Sequence, residues 1–140
     1  MKKSLEKDVA RADKLSKNMG LALDKARQAG KMLAICLALG FPFLSQTVSL
    51  VGYSLGCQVI KSCLKTLHRI GAHEIIHNVT FLGGATNFHR DKEMWETIFC
   101  QTVAGKLKNV YSTKDFILGV YQAAEKHDAI GRHQQFATSL

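Results

Sequence analysis

The stretch L-V-G-Y-S-L-G-C-Q-V-I, Leu50 to Ile60, decides how this chain is read. Gly52-Tyr53-Ser54-Leu55-Gly56 fits G-x-S-x-G, the pattern of a tight turn that lifts a serine between a strand and a helix. Such a turn asks for small residues two before and two after the serine, because the two backbones crowd there. Gly52 and Gly56 supply both. The pattern alone is weak, so its flanks carry the argument. Thr47 to Gly52, T-V-S-L-V-G, is rich in β-branched residues and predicts a short, fully buried strand. Beyond the turn, Val59, Ile60, Cys63, Leu64 and Leu67 recur at helical spacing, and Gly71 stands where a helix-ending glycine belongs. The setting is strand, turn, helix, with Ser54 at the apex; the plain alternative is a glycine-bounded turn with an idle serine.

A rival signal follows at once. His73-Glu74-Ile75-Ile76-His77 spells H-E-x-x-H, which binds zinc only when both histidines lie one turn apart on a continuous helix. Gly71 has just closed a helix, and Asn78 to Gly84, N-V-T-F-L-G-G, predicts a second buried strand. No helix fits between them. His73 and His77 are therefore expected in an exposed loop, and neither a metal site nor a cofactor is expected.

Working outward, Leu5, Val9, Ala12, Leu15 and Met19 form one helical stripe, punctuated by Asn18 or Gly20. Leu23, Ala26, Ala29, Leu33 and Leu37 form a second, ended by Gly40 and Pro42. Asp91 to Lys106 predicts a helix with acidic residues in its first turn, where the helix dipole favours them. Leu107 to Ser112 predicts a third short strand, and Lys114 to His127 a last helix. Strands alternating with helices imply an α/β fold, with about three parallel strands joined by right-handed crossovers and covered on both faces. So thin a sheet exposes its edges, which calls for a dimer or a partner to cover them.

Composition sets the outer bounds. At 140 residues the chain holds one domain, and 46% hydrophobic residues with a single proline describe a folded segment. The formal charge is +8, of which residues 1–31 carry +5. Residues 1–17 read as a basic helical extension and 18–140 as the domain. The extension is a solvated helix face, or a contact for a membrane surface or protein partner. Basic and aromatic residues do not interleave, which disfavours nucleic acid. Cys36, Cys57, Cys63 and Cys100 form no C-x-x-C and sit in apolar contexts, which predicts free buried thiols in a reducing, intracellular compartment. No apolar segment of a secretory signal follows the first lysines. Met32 to Ile60 holds no charged residue, but Gly40-Phe41-Pro42 and Ser45-Gln46-Thr47 interrupt it. A helix end, a turn and a strand describe it better than a membrane span.

A serine hydrolase also needs a histidine to take the serine proton and a carboxylate to orient that histidine. Asp115 follows the third strand, where the acid belongs in the order Ser, acid, His. Its plain alternative is an aspartate complementing a helix N-terminus; Asp91 and Asp128 are weaker choices of acid. The histidine is not identified: His127 falls at a helix end, and His133, the remaining candidate, follows no recognisable strand. The Leu55 N–H supplies one oxyanion donor, and the second would come from a loop after an earlier strand.

Four blocks in order, A-L-D-K-A-R-Q-A-G-K-M-L-A (Ala22 to Ala34), Val48 to Leu67, Asn78 to Asn87 and Val103 to Ala124, resemble one family. It is the transmembrane and coiled-coil domain-containing protein 4 family, or domain of unknown function 726. The A-G-x-L-x-N-x-Y-S-x-x-D run from Ala104 to Asp115 is the most specific part of a resemblance covering roughly residues 18–125. It implies a partial α/β-hydrolase fold with a serine-esterase or lipase-like site, Ser54 as nucleophile and Asp115 as acid. It also implies an ester or lipid substrate and a place on the cytoplasmic side, associated with membrane. The upstream strands, upstream membrane helices and downstream G-H segment of that family are not in this sequence, so a non-catalytic interaction or assembly module is the alternative expectation.

Overall fold

Seven regular elements and a short 3-10 turn follow one another in the computed structural model, which describes residues 2–41, 46–88, 91–125 and 128–132. Helix α1 spans Lys2–Ala38, strand β1 Val48–Tyr53, helix α2 Gly56–Arg69 and strand β2 Ile76–Leu82. Helix α3 spans Lys92–Thr102, strand β3 Leu107–Val110 and helix α4 Phe116–Glu125, before the 3-10 turn Ile130–Arg132. The strands form one parallel sheet in the order β1-β2-β3. The α/β class with three parallel strands alternating with helices is thus what the chain adopts.

Two helices expected at the N-terminus are one. Gly20 does not break α1, because a mid-helix glycine costs only about 1 kcal/mol against alanine, and Met19 and Leu23 pack against Leu118 and Tyr121 on either side of it. The buried stripe runs Leu23, Ala26, Gly30, Ala34, Leu37, while Ala29 is exposed. Gly30 is where α1 crosses α2: a Cβ there would meet the Val59 carbonyl oxygen and lie 2.6 Å from Ser62 Cβ. The Ser62 hydroxyl donates to the Arg27 carbonyl at 2.7 Å, fastening the crossing.

Helix α2 ends as its sequence predicts. Gly71 has φ +70 and donates to the His68 carbonyl, and Ala72 donates to the Leu67 carbonyl, the paired bonds of a Schellman cap. Its apolar face, Cys57, Ile60, Cys63, Leu64 and Leu67, packs on Ile76, Val79 and Phe81 of β2 and on Trp95 and Ile98 of α3.

Among the described residues the sheet is covered on one face only. Val48, Leu50, Ile76, Val79, Phe81 and Leu107 join the helix-covered core. The opposite face aligns Val51 with Thr80 and Lys108, and Tyr53 with Leu82 and Val110. Val51 is 67% exposed and Tyr53 76%, so β1 is buried on one side only rather than fully. The reason is topological. Right-handed crossovers that always step in the same direction put every connecting helix on one face, and two-sided cover needs a reversal of strand order. Among the described residues β1 is also an edge strand.

The cysteines are free, but only Cys57 and Cys63 are buried; Cys36 is half-buried and Cys100 exposed. No described helix is long and apolar enough to cross a membrane.

Candidate functional site

The junction of β1 and α2 is held from three directions. Ser54 has φ +50, a left-handed conformation that costs a residue with a side chain roughly 1–2 kcal/mol. Its N–H donates to the Leu82 carbonyl at 2.9 Å, and its own carbonyl accepts from Ala85 at 3.0 Å and Cys57 at 3.2 Å. Leu55 follows in right-handed geometry as the residue that starts α2. Neither the Ser54 hydroxyl nor the Leu55 N–H has a hydrogen-bond partner among the described residues. Both are therefore available to a ligand at the half-exposed apex.

The two glycines around Ser54 play unequal parts. A Cβ on Gly52 would lie 2.8 Å from Ile60 Cδ1 and 3.0 Å from both Cys57 N and Gly56 C, so the close approach is real there. A Cβ on Gly56 would meet nothing within 4 Å. The crowding expected at Gly56 is missing among the described residues. Beneath the turn the Cys57 thiol points at the Gly52 carbonyl at 3.1 Å. Burial pushes that thiol up to about 11, which keeps it neutral and makes it a packing group rather than a nucleophile.

Asp115 lies at the same end of the sheet. It closes a turn after β3, where its N–H donates to the Ser112 carbonyl at 3.2 Å, and its Oδ1 accepts from the Leu118 N–H at 2.9 Å. One carboxylate oxygen thus caps α4, the plain role foreseen for it. The other, Oδ2, faces Gly83: it and Tyr53 Cε2 each lie 3.9 Å from the point a Cβ on Gly83 would occupy. Gly83 itself has φ +51 and donates to the Val110 carbonyl. The carboxylate and the residue preceding Ser54 therefore flank one glycine. Asp91, left-handed at the start of α3, and Asp128 are both exposed.

A segment that carries no motif positions this region. Ile130 donates to Thr86 at 2.8 Å, Gly131 donates to Gly84 at 3.1 Å, and the Gly131 carbonyl accepts from Ser112 at 2.8 Å. A Cβ on Gly131 would collide with Leu118 and with the Gly83–Gly84 backbone. The Arg132 guanidinium reaches Gln122 Oε1 at 3.0 Å and the Thr113 carbonyl at 3.2 Å, bracing the turn that carries Asp115. Sequence reasoning missed this support. Gly131 was the one available signal, and a lone glycine outside any pattern does not announce a close approach.

The histidines do not converge on Ser54 among the described residues. His68 ends α2, His73 stands in the loop after it with Nδ1 at 2.9 Å from the Gln101 carbonyl, and His77 lies inside β2. His77 is exposed, but it is a strand residue rather than a loop residue, because β2 starts at Ile76. Five residues of strand, about 16 Å, separate it from Leu82, which binds Ser54. His127 and His133 lie outside the described residues. H-E-x-x-H spans a loop and a strand, so its histidines are not a turn apart on one helix. Among the described residues no three His, Cys, Asp or Glu side chains group as metal ligands do.

Comparison with known proteins identifies the family. A family model described as "Protein of unknown function (DUF726)" matches residues 9–138. The chain is 37% identical over 113 residues to "Transmembrane and coiled-coil domain-containing protein STS1" of Oryza sativa subsp. japonica, covering 80% of this chain and 16% of that protein. It is 36% identical over 114 residues to an uncharacterized membrane protein of Schizosaccharomyces pombe, covering 79% and 14%. It is 34% identical over 108 residues to "Probable lipase MIL1" of Saccharomyces cerevisiae, covering 74% and 9%. The chain thus spans about a sixth or less of the length of these relatives. No solved structure matches it.

Proposed function

The chain belongs to the DUF726 family, and from that premise we propose that it is the serine-bearing part of an α/β-hydrolase acting on carboxylic esters, those of lipids foremost. One observation carries the reading. Ser54 stands in left-handed geometry between β1 and α2, its hydroxyl and the next N–H both unpartnered among the described residues, at the sheet end that also holds Asp115. A left-handed serine held by three hydrogen bonds is the kind of strained conformation that clusters at active sites. The relative named as a probable lipase supports the choice of ester chemistry.

In this reading the Ser54 Oγ attacks the ester carbonyl carbon while a histidine takes its proton. The Leu55 N–H stabilises the oxyanion. The alcohol leaves with the proton returned by the histidine, and water then releases the acid from Ser54. Asp115 orients the histidine through Oδ2, the oxygen not used to cap α4. His133 is the candidate for that base, and no second oxyanion donor is assigned among the described residues. The names of the relatives support a membrane-associated setting, which we place on its cytoplasmic face.

A second reading is favoured by the edge of β1 and the sheet face that are open among the described residues: a non-catalytic module that joins another chain there, or through its basic N-terminal helix. A fluorophosphonate probe separates the two. The ester-hydrolase reading expects labelling of the wild type and none of Ser54→Ala. Absence of labelling in the folded wild type would leave the module reading in its place.

A further inference from the structure

Large apolar side chains lie open to solvent around the sheet end that carries Ser54. Phe116 is 81% exposed and Ile117 76%, although both sit in the first turn of α4 with Leu118 buried directly after them. Val110 and Tyr53 are exposed in one row across the sheet, joined through Leu82. Tyr53 and Asp115 flank Gly83, so this row and the start of α4 meet at one rim. Lys108 stands on the same sheet face as Val110, and Lys114 precedes Asp115; both are exposed. Asp115 is the one acidic residue between Val103 and Ile117, and it turns one carboxylate oxygen back to the Leu118 N–H.

An exposed apolar rim flanked by lysines, with one Asp115 oxygen held on the Leu118 N–H, is complementary to an interface where acyl chains lie beneath anionic headgroups. The names of the relatives, a transmembrane protein and a membrane protein, favour a lipid surface over a protein partner as the occupant. We propose that the rim of Tyr53, Val110, Phe116 and Ile117, with Lys108 and Lys114, docks this protein on an anionic lipid surface. This deepens the ester-hydrolase reading, since docking there turns Ser54 toward lipid esters; the docking itself does not require that Ser54 react. It is also distinct from attachment through the basic helix α1, whose lysines lie on another element.

Flotation of the full chain with phosphatidylcholine vesicles, with and without phosphatidylserine, tests it, because flotation separates bound protein from aggregate. The wild type and Ser54→Ala are expected to float alike with the phosphatidylserine vesicles. Phe116→Ser with Ile117→Ser should reduce binding by roughly tenfold or more, since two inserted side chains are lost. Lys108→Glu with Lys114→Glu should reduce it on anionic vesicles alone, and Lys14→Glu with Lys17→Glu in α1 should leave it nearly unchanged. Both Phe116 and Ile117 are exposed, and circular dichroism of each variant confirms the fold. Binding that survives the Phe116/Ile117 change but fails with the α1 change overturns the proposal in favour of the helix. Absence of flotation overturns it too, and a dimer that dissociates in the Phe116/Ile117 variant would assign the rim to a second copy. Loss of probe labelling with flotation intact would count against the hydrolase reading alone.

Discussion

Ser54 donates its backbone N–H to the Leu82 carbonyl at 2.9 Å, so the residue that leaves β1 in a left-handed turn is still bound to β2. The strain sits inside the hydrogen-bonded framework rather than beyond it, and a serine at φ +50 must be held there by its surroundings.

That strain is measurable. Glycine takes positive φ without the Cβ clash, so Ser54→Gly should be more stable than Ser54→Ala by about 1 kcal/mol. Urea unfolding of the two variants checks this with the hydroxyl absent from both. Equal midpoints would mean that the turn relaxes and that no strain is stored under Ser54.

The two glycines flanking the serine give opposite expectations. Gly52→Ala pushes a methyl group against the Cys57 and Gly56 backbone, which cannot step aside as a side chain can. It should cost on the order of 2–3 kcal/mol. Gly56→Ala enters open space at the first residue of α2 and should be neutral or stabilising by up to about 1 kcal/mol. Thermal unfolding of both variants decides. A strong loss at Gly56 would indicate that another strand lies against that side of β1 in the working protein.

The contrast shows what the sequence could carry. Periodicity around Ser54 and the glycine at position 71 located β1, α2 and its Schellman cap, because those signals are local. The place of Asp115, directly after β3 and before α4, was legible by chain order alone. The bare face of Val51 and Tyr53 was not, since strand order, which no local pattern encodes, decides which face the crossover helices cover. Gly20 misled for a related reason: propensity marked a break that packing on Leu23 overrides. The support from Gly131 and Arg132 arises from chain returning across β2 and β3, a long-range contact invisible to spacing.

Lys61 predicts a pH dependence. Its ammonium bonds the Asn87 carbonyl oxygen and lies 4.9 Å from the Phe88 ring centre and 5.2 Å from that of Trp95. Burial, with Lys65 and Arg27 adding repulsion, pushes it from 10.5 down to about 8. Between those values the unfolded chain holds more protons than the folded one, so rising pH favours folding through this group. Cys57 and Cys63 act oppositely: burial raises them from 9.0 to about 11 and about 12, so their contribution is full below pH 9 and is lost above it. Lys61→Met isolates the first effect. The stability difference between wild type and Lys61→Met should move toward the wild type by on the order of 2–3 kcal/mol from about pH 8 to about pH 10.5. Parallel curves over that range would mean that the aromatic faces hold Lys61 charged throughout.

Asp115 has two jobs to separate. Asp115→Asn keeps an oxygen for the Leu118 N–H and loses only the charge near the α4 N-terminus, a stability cost of about 0.3–1 kcal/mol. Asp115→Ala also loses the cap, for a further cost of about 1 kcal/mol. If Oδ2 orients the catalytic histidine, both variants should react with the fluorophosphonate probe more slowly by roughly 10²–10⁴-fold, because a missing orienting charge hinders proton removal from Ser54. If Asp115 only caps α4, Asp115→Asn should label at the wild-type rate. The asparagine variant is therefore the decisive one: it separates the acid's chemistry from its structural bond to Leu118 while the fold stays in place.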